Sequence, residues 1–278
     1  MIVRDIMLQA NSYPEPTPAW AMERTAELAA QFNAKITLGV CQVHIPPVSN
    51  WLANSLLNID GMIGSENKKS IDNVNTLVSQ FTSIVPAEYR GETIVIDCPG
   101  TVTPWQLAVQ ARVHDLIVVP VYEHGQISAM TEGLVFESGR PVLLLPAMDG
   151  GALKLDRMVV AWDGSRVAAR ALADALPFCQ QAQAVSIVQV TGEKDLSKTL
   201  PLSGVVRHLA LHGIAAEPVE IELEGQDAAA TLHSYCERVG STLLVMGAYG
   251  HSRAREFVFG GVTRSVLHDS KLPVLISH

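Results

Sequence analysis

Late in the chain, Gly247 and Gly250 are separated by two residues, and Gly260-Gly261-Val262-Thr263 follows after nine more. Glycine lets backbone approach a ligand closely and adopt φ angles closed to other residues. Free N–H groups in such a turn, beside a helix N-terminus, favour an anion. Two adjacent glycines in a helical stretch cost roughly 0.5–1 kcal/mol each relative to alanine, so the pair calls for a reason beyond the helix itself. His251 and Arg253 follow the turn and add donors that can reach a phosphate oxygen. A second candidate is Asp163-Gly164-Ser165, directly after the apolar run ending in Ala161-Trp162. Asp163 or Ser165 can cap a helix.

Other chemistry is weaker. His208 and His212 stand four apart on a helical stretch, but no third metal ligand can be named. The chain has no GxxxxGK[ST] loop, no GxGxxG fingerprint and no GxSxG elbow. Glu256 has no nucleophile arranged around it, so no catalytic residue is assigned. Cys41, Cys98, Cys179 and Cys236 are widely spaced and form no CxxC pair; they read as reduced, mostly buried thiols.

Short apolar runs alternating with helical patterns must position these residues. In the second half, strands are expected at 156–162, 184–190, 218–223, 242–246 and 273–276. Helices are expected at 167–179, 200–212, 227–239 and 253–268, with Gly213 stopping the second. The 218–223 run (PVEIEL) alternates apolar and acidic residues and suits a half-exposed strand near an edge. The first half repeats the order. Its strands are expected at 2–8, 35–43, 92–98, 115–121 and 141–146, and its helices at 19–32, 60–81, 103–113 and 128–137. The endings RPVLLLPA and LPVLISH match, as do DLIVVP and TLLVMG. This is a whole-domain duplication: two repeated five-stranded parallel-sheet α/β domains, Rossmann-like, with helices on both faces. The joint is expected at Asp149-Gly150-Gly151, giving domains 1–149 and 150–278.

The 278 residues are 48% hydrophobic and 17% charged, enough apolar material for one or two sizeable cores. The net charge of −8 argues against a general nucleic-acid binder, which needs a basic face. No signal segment and no run of about 18 apolar residues is present, so a cytoplasmic protein without a membrane span is expected.

The glycine pattern combined with the strand order resembles the universal stress protein family, whose nucleotide-binding members carry glycine, two residues, glycine, nine residues, glycine and a hydroxyl residue. Gly247, Gly250 and Gly260 match those spacings; Gly261 stands where the hydroxyl residue is expected, and Thr263 matches a further threonine. The 161–165 stretch (AWDGS) resembles the family's first strand end. The resemblance spans the whole chain as a tandem pair. It implies an adenine nucleotide (ATP, ADP or AMP, with or without Mg) in the second half. Ala161, Trp162 and Asp163 would lie near ribose or adenine, with Val190 facing adenine. Gly247, Gly250, His251, Arg253, Gly260, Gly261, Val262 and Thr263 would surround the phosphates. Gly261 lacks the hydroxyl donor, which weakens the case for a triphosphate more than for adenine nucleotide as such.

The first half departs from the pattern. Asn11 stands near the Asp163 position, Pro120 replaces the strand-end glycine, and Tyr122-Glu123-His124-Gly125 follows. Proline offers no N–H and Glu123 would repel phosphate. One competent and one degenerate half are therefore expected. The resemblance implies a stress-response or signalling protein that binds nucleotide without strong catalysis. A slow ATPase or phosphotransfer enzyme, and an interaction scaffold with a decayed site, remain the alternatives. Family domains often pair through the last strand; here the two halves can pair within one chain, with homodimer formation left open.

Overall fold

The computed structural model describes residues 2–47, 58–100, 104–122, 129–147, 152–192, 200–223, 228–248 and 272–278. The first half runs β1 (Asp5–Asn11), α1 (Ala19–Phe32), β2 (Lys35–His44), α2 (Ile59–Ile84), β3 (Arg90–Pro99), α3 (Pro104–Ala111), β4 (Leu116–Val121), α4 (Ala129–Glu137) and β5 (Val142–Pro146). The second runs β6 (Arg157–Ala161), α5 (Arg166–Cys179), β7 (Ala184–Thr191), α6 (Leu202–Leu211), β8 (Ala216–Glu222), α7 (Ala228–Val239), β9 (Leu243–Gly247) and β10 (Val274–Ser277). The helix expected at 253–268 and the joint at 149–151 lie outside the described residues.

The described strands form one ten-stranded sheet, in the order β3-β2-β1-β4-β5-β10-β9-β6-β7-β8. Each half is parallel and doubly wound. The halves meet where β5 and β10 pair antiparallel, Val274 opposite Leu144 and Ile276 opposite Val142. Both strands are short and buried at every position, so each needs a neighbour on either edge. Two parallel sheets thus become one mixed sheet. Edge strand β8 carries Pro218 and Glu217, Glu220 and Glu222, which blunt it as the sequence suggests.

The first strand departs from its expected bounds. The apolar residues point to 2–8, but β1 starts at Asp5 and runs to Asn11. Its ladder is set by β2, from Asp5 opposite Lys35 to Asn11 opposite Cys41. The Asp115 carboxylate accepts from the Arg4 and Asp5 N–H groups at 2.8 and 3.1 Å, fixing the start. The polar Gln9 belongs to the strand and is buried.

Side chains alternate across the sheet and make two cores. One face carries Ile6, Leu8, Leu38, Met158, Val160, Ile187, Leu243 and Leu275, and is continuous through both halves. The other carries Met7, Ile117, Val119, Val159, Leu244 and Ile276. Phe32 at the end of α1 meets Phe178 of α5 edge to face, with centroids 4.9 Å apart. The Gln31 amide donates to the Leu153 carbonyl at 2.9 Å, and the Leu153 N–H donates to Glu27 at 2.7 Å. Each fully buried leucine contributes about 2 kcal/mol, so this shared face ties the halves together.

Candidate functional site

An open α/β sheet offers a crevice at the carboxyl ends of its strands where the strand order reverses. The second half reverses between β6 and β9. Their pairing covers only Met158 to Val160 against Leu243 to Val245, and no further pairs follow towards the carboxyl ends. The Ala161, Trp162 and Asp163 stretch leaves β6 at this point.

The turn after β6 is built locally. Gly164 takes a φ of +73°, a left-handed conformation that glycine adopts without strain. Ser165 caps α5: its hydroxyl accepts from the Ala168 N–H at 3.2 Å. The Ser165 N–H in turn donates to the Asp163 carboxylate at 3.0 Å. Asp163 therefore sits at the positive end of α5 and is only partly buried. Ser165 is thus the helix cap, and Asp163 holds the backbone N–H of that cap residue. A carboxylate at this helix start disfavours a phosphate there and suits a neutral or hydroxyl-bearing ligand group.

Trp162 is 8% exposed, and its backbone N–H donates to the Val188 carbonyl at 2.8 Å. Val190 lies near the end of β7 opposite Ile221 and is half-buried. Gly247 ends β9 opposite Ser277 of β10. A side chain on Gly247 would lie 2.6 Å from the Val167 carbonyl carbon and 2.7 Å from the Ala168 nitrogen. Packing of β9 against the first turn of α5 thus requires this glycine, whatever binds nearby. The structure brings Ala161, Trp162, Asp163, Val190 and Gly247 to one edge of the sheet. Gly250, His251, Arg253, Gly260, Gly261, Val262 and Thr263 lie outside the described residues.

Two residues of this edge escape a reading by motif. Gln189 and Ser277 are buried, and Gln189 Nε2, Ser277 Oγ and Trp162 Nε1 have no hydrogen-bond partner among the described residues. The available signal was the glutamine interrupting the otherwise apolar end of AVSIVQV.

The matching crevice of the first half is occupied by its own side chains. β1 and β4 pair only from Ile6 to Leu8, so Pro120 falls beyond that ladder and its missing N–H costs no bond to β1. Asn11 Nδ2 donates to the Tyr122 hydroxyl at 3.0 Å, and Gln9 Nε2 donates to Asn11 Oδ1 at 2.7 Å. Thr17 Oγ1 accepts from the Asn11 N–H at 2.8 Å and lies 3.4 Å from the Tyr122 hydroxyl. Ser12 Oγ donates to the Cys41 carbonyl at 2.6 Å and meets Ser70 Oγ at 3.0 Å. Glu123, His124 and Gly125 lie outside the described residues.

Elsewhere, the His208 and His212 rings stack edge to face at 4.9 Å. Among the described residues no three His, Cys, Asp or Glu side chains gather as a metal site. No described helix is long and apolar enough to cross a membrane. All four cysteines are buried and in no disulfide among the described residues. Burial pushes the Cys179 and Cys236 thiols up to about 12. A hydrogen bond with Cys98, reinforced by burial, raises Cys41 as well.

Fold and edge geometry define a tandem, doubly wound α/β protein whose first-half crevice is bridged by its own side chains. Residues 154–278 match the family model described as "Universal stress protein family". A universal stress protein of Synechocystis sp. is 28% identical over 169 residues, 55% of this chain and 52% of its own length. The chain thus spans about half the length of that curated relative. A universal stress protein from Archaeoglobus fulgidus DSM 4304 has the same fold over 98% of this chain and 97% of its own, with a TM-score of 0.67 at 18% identity. A functionally unknown protein from Pseudomonas aeruginosa PAO1 covers 99% of this chain and 92% of its own, with a TM-score of 0.54 at 13% identity.

Proposed function

We propose that the chain is a stress-response or signalling protein that binds an adenine nucleotide in its second half, at the β6–β9 crevice. The observation that carries this reading is the contrast between the two crevices. In the first half Asn11, Tyr122, Thr17 and Gln9 satisfy one another. In the second half buried donors at the same end of the sheet have no partner among the described residues. The glycine spacing at Gly247, Gly250 and Gly260 adds support, since such a loop can present N–H groups to phosphate oxygens. Asp163 is assigned to the nucleoside end, because its charge at the α5 start would repel phosphate. Domains 1–149 and 150–278 then divide the work: the second binds and the first supports the sheet.

The test is nucleotide retention. The purified protein is heat-denatured and its supernatant run on an anion-exchange column, with calorimetric titration of ATP, ADP and AMP alongside. Released nucleotide or a saturable heat is expected. No released nucleotide and flat titrations with all three would overturn the reading. ATP loss that scales with protein and disappears in Gly250→Val would instead establish an ATPase.

A further inference from the structure

Continuing the strand registers places Ser277, Gly247, Trp162 and Gln189 in one row across four neighbouring strands. Ser277 lies opposite Gly247, Val160 opposite Val245, and Ala161 opposite Val188. One further step along β6 brings Trp162 beside Gln189, and two residues beyond Val160 bring it beside Gly247. All four share a face. Met158, Val160 and Trp162 belong to one core, as do Val185 and Ile187 of β7, Leu243 and Val245 of β9, and Leu275 of β10. Gln189, Gly247 and Ser277 continue those alternations.

This row contains three of the buried polar side-chain atoms that have no partner among the described residues: Ser277 Oγ, Trp162 Nε1 and Gln189 Nε2. Ser277, Trp162 and Gln189 are 1%, 8% and 7% exposed. A buried donor or acceptor left unsatisfied is destabilising, so three in a row at the ligand end of a sheet call for partners. Indole N–H only donates, and the carboxamide nitrogen only donates. The row therefore asks for acceptors. Asp163, next to Trp162 and at the start of α5, makes an anionic acceptor unfavourable here. Neutral acceptors remain, and the ring nitrogens of a purine are such acceptors.

We infer that Trp162 Nε1 and Gln189 Nε2 read the purine base, each donating to a ring nitrogen of a nucleotide seated over the carboxyl ends of β6 and β7. Their backbones stand one strand spacing apart, about 4.8 Å, so one planar base can meet both. The inference rests on the nucleotide-binding reading above and adds its specificity determinants. Gly247 leaves the neighbouring position bare, and α5 packs there instead.

The test couples protein donors to ligand acceptors. Wild type, Gln189→Met and Trp162→Phe are titrated calorimetrically with ATP and with deaza analogues in which one ring nitrogen is replaced by carbon. In wild type, the analogue lacking the nitrogen that a given donor reads is expected to bind about tenfold more weakly than ATP, the scale of one lost buried hydrogen bond. In the variant lacking that donor, ATP and the analogue should bind alike. Both substitutions nearly preserve volume, and circular dichroism checks that each variant is folded. If every analogue penalty persists in both variants, the inference is overturned while nucleotide binding stands, and the donors are then bound to water. If wild type binds no nucleotide, both readings fall together.

Discussion

Asn11 Nδ2 donates to the Tyr122 hydroxyl at 3.0 Å, joining the end of β1 to the end of β4 across the first-half crevice. The place that could receive a ligand is thus bridged by a tyrosine. Tyr122→Phe removes the acceptor and leaves the Asn11 amide short of a partner. A loss of about 1 kcal/mol in urea denaturation is expected. Calorimetric nucleotide affinity should stay unchanged, because the bridge lies in the other half. A Tyr122→Phe protein with altered nucleotide affinity would contradict the division of roles between the halves.

Gly247 has a tighter constraint than a loop glycine. Its Cβ position lies 2.6–2.7 Å from backbone atoms of Val167 and Ala168, which cannot move without shifting α5. Gly247→Val should destabilise the protein by about 1–3 kcal/mol, the range of overpacking. Nucleotide retention should fall with it, since Asp163 and Ser165 stand at the displaced helix start. Thermal melting and the retention assay read the two effects together.

The continuous core face and the β5–β10 pair predict one cooperative unfolding unit. Leu275, fully buried in β10, touches the core of both halves. Calorimetry should show a single transition with equal calorimetric and van't Hoff enthalpies. Leu275→Ala should move that whole transition, at a cost of about 2–5 kcal/mol. Two separate transitions, only one of them shifted, would show instead that the halves unfold independently.

Cys179 and Cys236 give a signed pH dependence. Burial raises each thiol from an ordinary 9.0 to about 12. Between those values the unfolded chain loses these protons and the folded chain keeps them. The unfolded state then binds fewer protons, so stability falls as pH rises from 9.0 to about 12. Denaturation midpoints across that window should fall less steeply in Cys179→Ala/Cys236→Ala. Near neutral pH, native protein should resist a thiol reagent, and denatured protein should react at all four cysteines.

Local patterns in the sequence determined much of this molecule. Alternating apolar runs and helical stretches specified the element order, because burial on one face dictates a period of two or of 3.6 residues. The bounds of α1 were legible to the residue, and Pro218 with its acidic neighbours marked an edge strand. Ser165 was legible as a cap because a helix start needs acceptors wherever it sits. The glycine spacing at Gly247, Gly250 and Gly260 pointed to the carboxyl edge. Long-range register was not legible. Pairing of the halves through their last strands is what the resemblance implies; only the tertiary structure gave its antiparallel direction and register in β5 and β10, because two apolar strands in sequence do not say how their edges meet. It alone extended β1 to Asn11, since the ladder with β2 outweighs the polarity of Gln9 and Asn11. It alone gave Gly247 a packing role against α5. It also aligned Ser277, Trp162 and Gln189 from three distant segments, because neighbours across a sheet are chosen by strand order and not by distance along the chain.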